Sequence, residues 1–509
     1  MIQEIFHDPM LKQLFGGKPD HPMADPKEAR RILEQLPAQD HFKSLEELTH
    51  WMDSVGTAEG FRPEARLPIL LLIDEAAQPR LRKLAKDYLA AERPSRFQEN
   101  RLWSALHGYW RQAGLTFARA VDQFVQGAKG VESAKASLPL LLVRTLRCLA
   151  QQIKWMHMRY GPIDTSIWTV FHGVYAYAEI RQLAQARVTV HPGTPAESTP
   201  QLEFLKGVMF SASSPDSLLP SEVDLAERLI AEFAPRFTLA PAPGPEHTYW
   251  TDLAKAMAPA RISRTPPSGP GLRCFGAGPV LADLNALIER VYTSGAVPSN
   301  TSLAGSEPEL ALEVLRHLAQ VWSAQPPERK APRHSVKSRL SVAHGYEGVV
   351  GALGGSDSLD FDVQGSESWI VENVSAGGFG AVVPQLKGDW LRVGALVALQ
   401  PEGGNNWLLG LVRRVNKMGP QQARVGIETL SRTPEVARFS VAGAAEQGVL
   451  LKSADGAESR IVLKPGIYAP MQNLEVQRGE RQHVYIPQGV AERGEDYEIG
   501  RFREMIRES

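Results

Sequence analysis

ERKAPRHSV, residues 328–336, and VENVSAGGFGAVV, residues 371–383, are the two stretches on which the reading of this chain turns. Pro332 biases Ala331 away from helix, and Pro326 and Pro327 do the same upstream, so Arg329 and Arg333 fall on an extended arm. In an extended chain, positions i and i+4 share one side, at a separation of roughly 13 Å from about 3.3 Å per residue. In the second stretch Asn373 and Ser375 lie two apart at the end of a predicted strand, so their side chains point to one face. Gly377 and Gly378 follow, permitting positive φ and close approach of backbone to a ligand.

These residue types suit a nucleotide. The planar fork of arginine bonds two acceptors at once, whether phosphate oxygens or the O6/N7 edge of guanine, where lysine offers a point charge. Asn373 supplies an amide donor and acceptor for a base edge, and Ser375 supplies a hydroxyl. A spacing near 13 Å between guanidinium anchors is the reach of a dinucleotide, wider than one phosphate.

The surrounding sequence is β-rich. SWIVENVS, FGAVV, GALVALQ, NWLLGLVRRV and QARVGIETL are short runs with β-branched or alternating residues, separated by Gly, Asn and Pro. Five or six strands at this spacing predict a small barrel over residues 326–437. Residues 438–509 predict a further small β unit, with Asp455-Gly456 as a hairpin turn and DYEIGRFREMIRE as a short amphipathic helix. GALGGSDSLDFDVQGSES, residues 351–368, reads as a polar loop inserted in the first strand connection.

Upstream, residues 1–235 show apolar residues at helical spacing and predict a helical bundle. Asp25 followed by Pro26 opens PKEARRILEQL, and Ser44 with Glu47 stand in capping-box positions before Leu45, Leu48 and Trp51. Longer periodic segments follow at 67–91, 95–126, 136–160 and 165–187. Shorter ones lie at 201–210 and at 221–233, where Ser221 and Asp224 again make a capping signal. Residues 236–325 read as a Pro/Gly-rich connector with short helices, the composition shift between Pro235 and Pro279 opposing packed helix and suiting an extended chain. It carries a helix-like TDLAKAMA and two further helices, 280–293 and 307–323.

Composition narrows the function. The chain has 509 residues, 43% hydrophobic, enough for about three domains. With 56 basic and 57 acidic residues, the formal net charge of -1 provides no global field for DNA, RNA or an anionic membrane, so any anion must be caught locally. Cys148 and Cys274 lack CxxC spacing, against a disulfide framework or zinc site and in keeping with a reducing compartment. The N-terminus has no secretory pattern. The longest apolar runs, LPILLLI and LPLLLV, fall far short of the roughly 20 residues of a membrane span. A cytoplasmic protein is expected.

Other chemistry is poorly supplied. His157 and His172 sit in helices rich in aromatic residues without an i,i+4 ligand pair. Asp74 and Glu75 are adjacent rather than facing, a poor acid-base arrangement. SDSLDFD lacks the spacing and terminal Glu of a calcium loop. Trp103, Trp110, Trp155, Trp168, Tyr175 and Tyr177 read as bundle core. Neither catalysis nor a cofactor is expected.

Arg329-x-x-x-Arg333 followed by Asn373-x-Ser375-x-x-Gly378, an arm and then a small antiparallel barrel, resembles the PilZ family of cyclic di-GMP receptors. GLVRRV and RVGIETL, residues 410–415 and 424–430, resemble the strands that end that domain. The resemblance covers residues 326–437. It implies an α+β multidomain bacterial effector: an all-helical N-terminal region, a PilZ-like β-barrel and a small additional β unit. It implies that Arg329 and Arg333 grip phosphates and guanine edges, that Asn373 and Ser375 contact a guanine, and that Gly378 shapes the turn. Binding of cyclic di-GMP, as one molecule or an intercalated pair, then orders the arm and alters how the helical region is oriented or meets a protein partner. The competing reading is a PilZ-like scaffold that binds no ligand.

Overall fold

The computed structural model describes residues 20–90, 95–193, 197–263, 268–325, 332–354, 367–441, 443–451, 458–478 and 481–508. Two compact units emerge. The first takes in most of the chain up to Pro327, and the second comprises Glu328–Ser509 with the short segments Arg159–Pro162 and Asp216–Leu219.

The first unit begins with helices α1 (Pro26–Glu34), α2 (His41–Thr57), α3 (Pro63–Tyr88), α4 (Arg96–Val125), the single turn α5 (Val131–Ala134), α6 (Leu138–His157), α7 (Ser166–Ile180), α8 (Pro200–Ala212) and α9 (Pro220–Phe233). Their starts follow from local chemistry. Asp25 accepts hydrogen bonds from the N–H groups of Lys27 and Glu28 at the head of α1, with Pro26 in the first turn. Ser95 and Gln98 form a reciprocal capping box on α4. The expected cap at Ser44 is corrected: α2 begins a turn earlier, capped by Asp40, while Ser44 is buried and its hydroxyl donates to the Pro37 carbonyl at 2.7 Å. Ser221 likewise lies inside α9 rather than before it.

Tryptophans 110, 155 and 168 and Tyr175 are buried as core, whereas Trp103 and Tyr177 are half-buried. His172 is fully buried, with Nδ1 against the Lys255 carbonyl and Nε2 against the Thr251 hydroxyl, each at 3.0 Å. Asp74 and Glu75 share one buried arginine: Arg144 Nη1 lies 2.5 Å from Asp74 and Nη2 lies 3.0 Å from Glu75. Tyr109 Oη donates to Asp74 at 2.9 Å, and His191 Nε2 lies 3.1 Å away. Burial opposes ionisation of Asp74, but the His191 hydrogen bond and the Arg144 charge outweigh it and hold the carboxyl below its ordinary range.

Residues 236–325 keep the two expected helices, but their Pro/Gly-rich first part, 236–279, forms short strands where an extended connector was expected. They carry strands β3 (Thr238–Ala240), β4 (Tyr249–Asp252), β5 (Ala260–Arg261) and β6 (Leu272–Gly276) in an antiparallel sheet of order β3-β6-β4-β5, then α10 (Val280–Ser294) and α11 (Pro308–Trp322). Proline and glycine punctuate short strands here instead of dissolving them. TDLAKAMA contributes the end of β4 and a turn rather than a helix, because Tyr249 and Thr251 alternate inward. Trp322 locks the piece in place, its Nε1 donating to the Ser213 hydroxyl at 2.8 Å. Strands β1 (Val188–Thr189) and β2 (Glu197–Ser198) make a separate two-stranded ladder.

The second unit holds two closed six-stranded antiparallel barrels. The first is built of β7 (His334–His344), β8 (Glu367–Ser375), β9 (Gly378–Val383), β10 (Leu396–Pro401), β11 (Leu408–Lys417) and β12 (Ala423–Ser431), in the order β10-β11-β12-β9-β8-β7. Inward residues such as Val342, Trp369, Val371, Val412 and Ile427 fill it, and Tyr160 from the 159–162 segment joins them. The stretch read as an inserted loop is in part helical: Gly351–Gly354 ends α12 (Gly345–Gly354), residues 355–366 lie outside the described residues, and Glu367 opens β8.

The second barrel comprises β13 (Glu435–Val441), β14 (Ala444–Leu451), β15 (Ser459–Leu463), β16 (Leu474–Arg478), β17 (Arg481–Arg493) and β18 (Glu498–Glu508), in the order β13-β14-β15-β18-β17-β16. β14 and β15 pair as a hairpin requires, with Asp455-Gly456 outside the described residues. The expected C-terminal helix is corrected to strand β18. Ile499, Phe502 and Ile506 are spaced for a helix, but pairing with both β15 and β17 closes the barrel and satisfies the backbone on both edges.

The two barrels share a core in which Tyr346, Val349 and Val350 of α12 meet Leu409, Leu411, Val449 and Tyr497. Asp496 of the second barrel accepts the Tyr346 N–H at 2.7 Å, and Tyr346 Oη donates to the Gln447 carbonyl at 2.5 Å. Arg413 of β11 bonds Glu428 of β12 at 2.7 Å and Glu492 of β17 at 2.6 and 2.8 Å.

Candidate functional site

The motif residues occupy one end of the first barrel. β8 runs to Ser375, turns through exposed Ala376 and Gly377, and returns as β9 from Gly378, so Ser375 and Gly378 face each other across a two-residue hairpin. Ser375 Oγ donates to the Gly378 carbonyl at 3.3 Å. Asn373 pairs with Ser335 of β7 on one edge and with Gly380 of β9 on the other. Asn373 and Ser375 are both half-buried.

Two glycines make the geometry possible. Gly378 is buried, and a Cβ on it would come 1.9 Å from the Ile427 carbonyl oxygen of β12. Gly378 also takes the positive φ expected of this turn, +158°, so the glycine serves both the turn and the close approach of two backbones. Gly380 was not singled out in the sequence, although GGFG contains it. A Cβ there would sit 2.6 Å from Asn373 Nδ2, so the glycine leaves the space into which the amide folds.

The described residues of the arm, Pro332 and Arg333, lead into β7 at the same end. His334 pairs with Val374 and Ser335 with Asn373, so Arg333, immediately before β7, is carried by the register toward Ser375. Arg333 is exposed. Arg329 lies outside the described residues. Of the five candidates, the structure brings Arg333, Asn373, Ser375 and Gly378 together.

On the far edge of the hairpin stands Arg432, which follows β12 and which sequence reasoning missed. Its Nη2 donates to the Ala376 carbonyl at 3.1 Å, and the Thr429 N–H donates to Gly377 at 3.0 Å. Only the pairing of β9 with β12 reveals this neighbour, a relation between residues far apart in the chain. Among the described residues, no group of three or more His, Cys, Asp or Glu side chains is arranged to hold a metal ion, and no helix is long and apolar enough to cross a membrane. Cys148 and Cys274 are free and buried.

The chemistry offered is recognition: guanidinium, amide and hydroxyl donors with backbone carbonyls, converging at the rim of a barrel packed with apolar side chains. The fold defines a class of protein with an α-helical region followed by two antiparallel barrels. Comparison with known families finds that residues 27–244 match the family described as "Cyclic-di-GMP receptor FimW, N-terminal domain". The match runs from α1 through β3 and ends before either barrel. No curated protein matches the chain.

Proposed function

We propose that this chain is a bacterial cytoplasmic effector that takes up cyclic di-GMP at the Asn373–Ser375 end of its first, PilZ-like barrel and passes the signal to a protein partner through its helical region. The observation that carries the reading is the convergence of Arg333, Asn373 and Ser375 at one barrel end, with the hairpin shaped by Gly378 and Gly380. The likeness of residues 27–244 to the N-terminal domain of a cyclic-di-GMP receptor family supports the same ligand from a part of the chain that holds none of these residues.

In this reading Arg329 and Arg333 grip phosphate oxygens and guanine edges, and Asn373 and Ser375 bond a guanine from the barrel rim. A ligand bonded to both arm and barrel favours the ordered arm by its differential affinity for that state. Since the arm is one of the chain passages from the helical unit to the barrel unit, ordering it changes what the helical region presents to a partner. No catalytic step is involved.

Competition binding with fluorescent cyclic di-GMP tests the reading. Unlabelled cyclic di-GMP should displace the probe, GTP should not, and Asn373→Ala should weaken binding about tenfold or more, the value of a lost hydrogen bond to a buried polar edge. Failure of the wild-type chain to take up the probe would leave the barrel a scaffold.

A further inference from the structure

The β8–β9 hairpin is flanked on one edge by β7, which follows the arginine arm, and on the other by β12, which leads into Arg432. Arg432 is exposed, and among the described residues it makes one hydrogen bond, from Nη2 to the Ala376 carbonyl. A guanidinium carries five N–H donors, so most of its donors and its full charge stay available above the turn that joins Ser375 to Gly378. Arg413 offers the contrast, since two carboxylates engage it. A cyclic dinucleotide presents two phosphodiesters on opposite sides of its ring.

We infer that Arg432 is a third ligand-binding arginine, contacting a phosphate of the cyclic dinucleotide from the β12 edge of the hairpin, opposite the edge that carries Arg333. The inference rests on the receptor reading above and adds to it a ligand contact from the segment between the two barrels. The hydrogen bond from Nη2 to the Ala376 carbonyl holds one tip of the guanidinium at the turn, lowering the ordering cost of the contact.

The test is calorimetric titration of the full chain with cyclic di-GMP, comparing wild type with Arg432→Gln, Arg432→Ala and Arg333→Ala. Glutamine retains an N–H donor for the Ala376 carbonyl but carries no charge, which separates holding the turn from binding the ligand. The inference expects both Arg432 variants to bind about tenfold or more weakly, with Arg432→Gln melting at the wild-type temperature without ligand. Wild-type affinity in Arg432→Gln overturns it, whether or not Arg432→Ala is impaired, because the residue would then act on the turn alone. In that event wild-type binding and its loss in Arg333→Ala would stand. Absence of binding by the wild type would instead remove the receptor reading, and the inference with it.

Discussion

A Cβ on Gly378 would lie 1.9 Å from the carbonyl oxygen of Ile427, so the motif glycine is required by the strand next to it as well as by its own positive φ of +158°. Backbone cannot yield as a side-chain end can. Gly378→Ala should cost about 1–3 kcal/mol, the range of forced overpacking. Gly377, whose Cβ would meet nothing within 4 Å, is the matched control. Chemical denaturation should show a lower midpoint for Gly378→Ala and little change for Gly377→Ala.

Gly380 makes a different prediction, because the atoms its Cβ would strike are the movable end of Asn373. Gly380→Ala should leave stability within about 0.5 kcal/mol, as for substitutions that disturb no core, while pushing the amide out of place. Cyclic di-GMP affinity should fall about tenfold. Paired melting and binding measurements check this, and unaltered affinity would detach Asn373 from the site.

Arg413 joins the strand that faces the motif glycine to the second barrel, since its partner Glu428 pairs in register with Gly378 and its other partner is Glu492. Burial opposes its charge, but the hydrogen bonds and charges of Glu492 and Glu428 raise its pKa above the usual arginine value. The side chain is 41% exposed, so Arg413→Ala should cost only about 1–2 kcal/mol. In a double-mutant cycle with Glu492→Ala the two losses should not add. Additive losses would mean the bridge contributes nothing.

In the helical unit, the Asp74 carboxyl is held below its ordinary range and is 2% exposed. A depressed folded pKa gives stability that is present above the unfolded value, about 3.9, and is lost as pH falls through the folded one. Melting temperature should therefore drop below about pH 4. Asp74→Asn, which strands Arg144 beside Glu75 alone, should cost about 3–5 kcal/mol at neutral pH and flatten this acid limb. An unchanged acid limb in Asp74→Asn would assign it to other carboxylates.

Much of this architecture was legible in the sequence. Asp25-Pro26 marked a helix start because caps act within one turn, and VENVSAGGFG marked a strand, a tight turn and a second strand. The C-terminal strand was not legible, since Ile499, Phe502 and Ile506 fit a helical face as well as a strand, and only partners β15 and β17 decide the matter. The sheet in residues 236–325 was hidden for a similar reason: strands of two to five residues between prolines leave no period to read. Asn373, Ser375 and Gly378 formed a recognisable spacing. Gly380 and Arg432 did not, because each matters through a neighbour across the sheet.

The central claim is that the first barrel binds cyclic di-GMP through its arm and rim. Its most direct test is isothermal titration of the full chain with cyclic di-GMP, run beside Arg329→Ala/Arg333→Ala. The account predicts micromolar or tighter binding, about -8 kcal/mol or better, abolished in the double variant while its melting temperature without ligand is unchanged. No heat from the wild type, or equal affinity in the double variant, would contradict it.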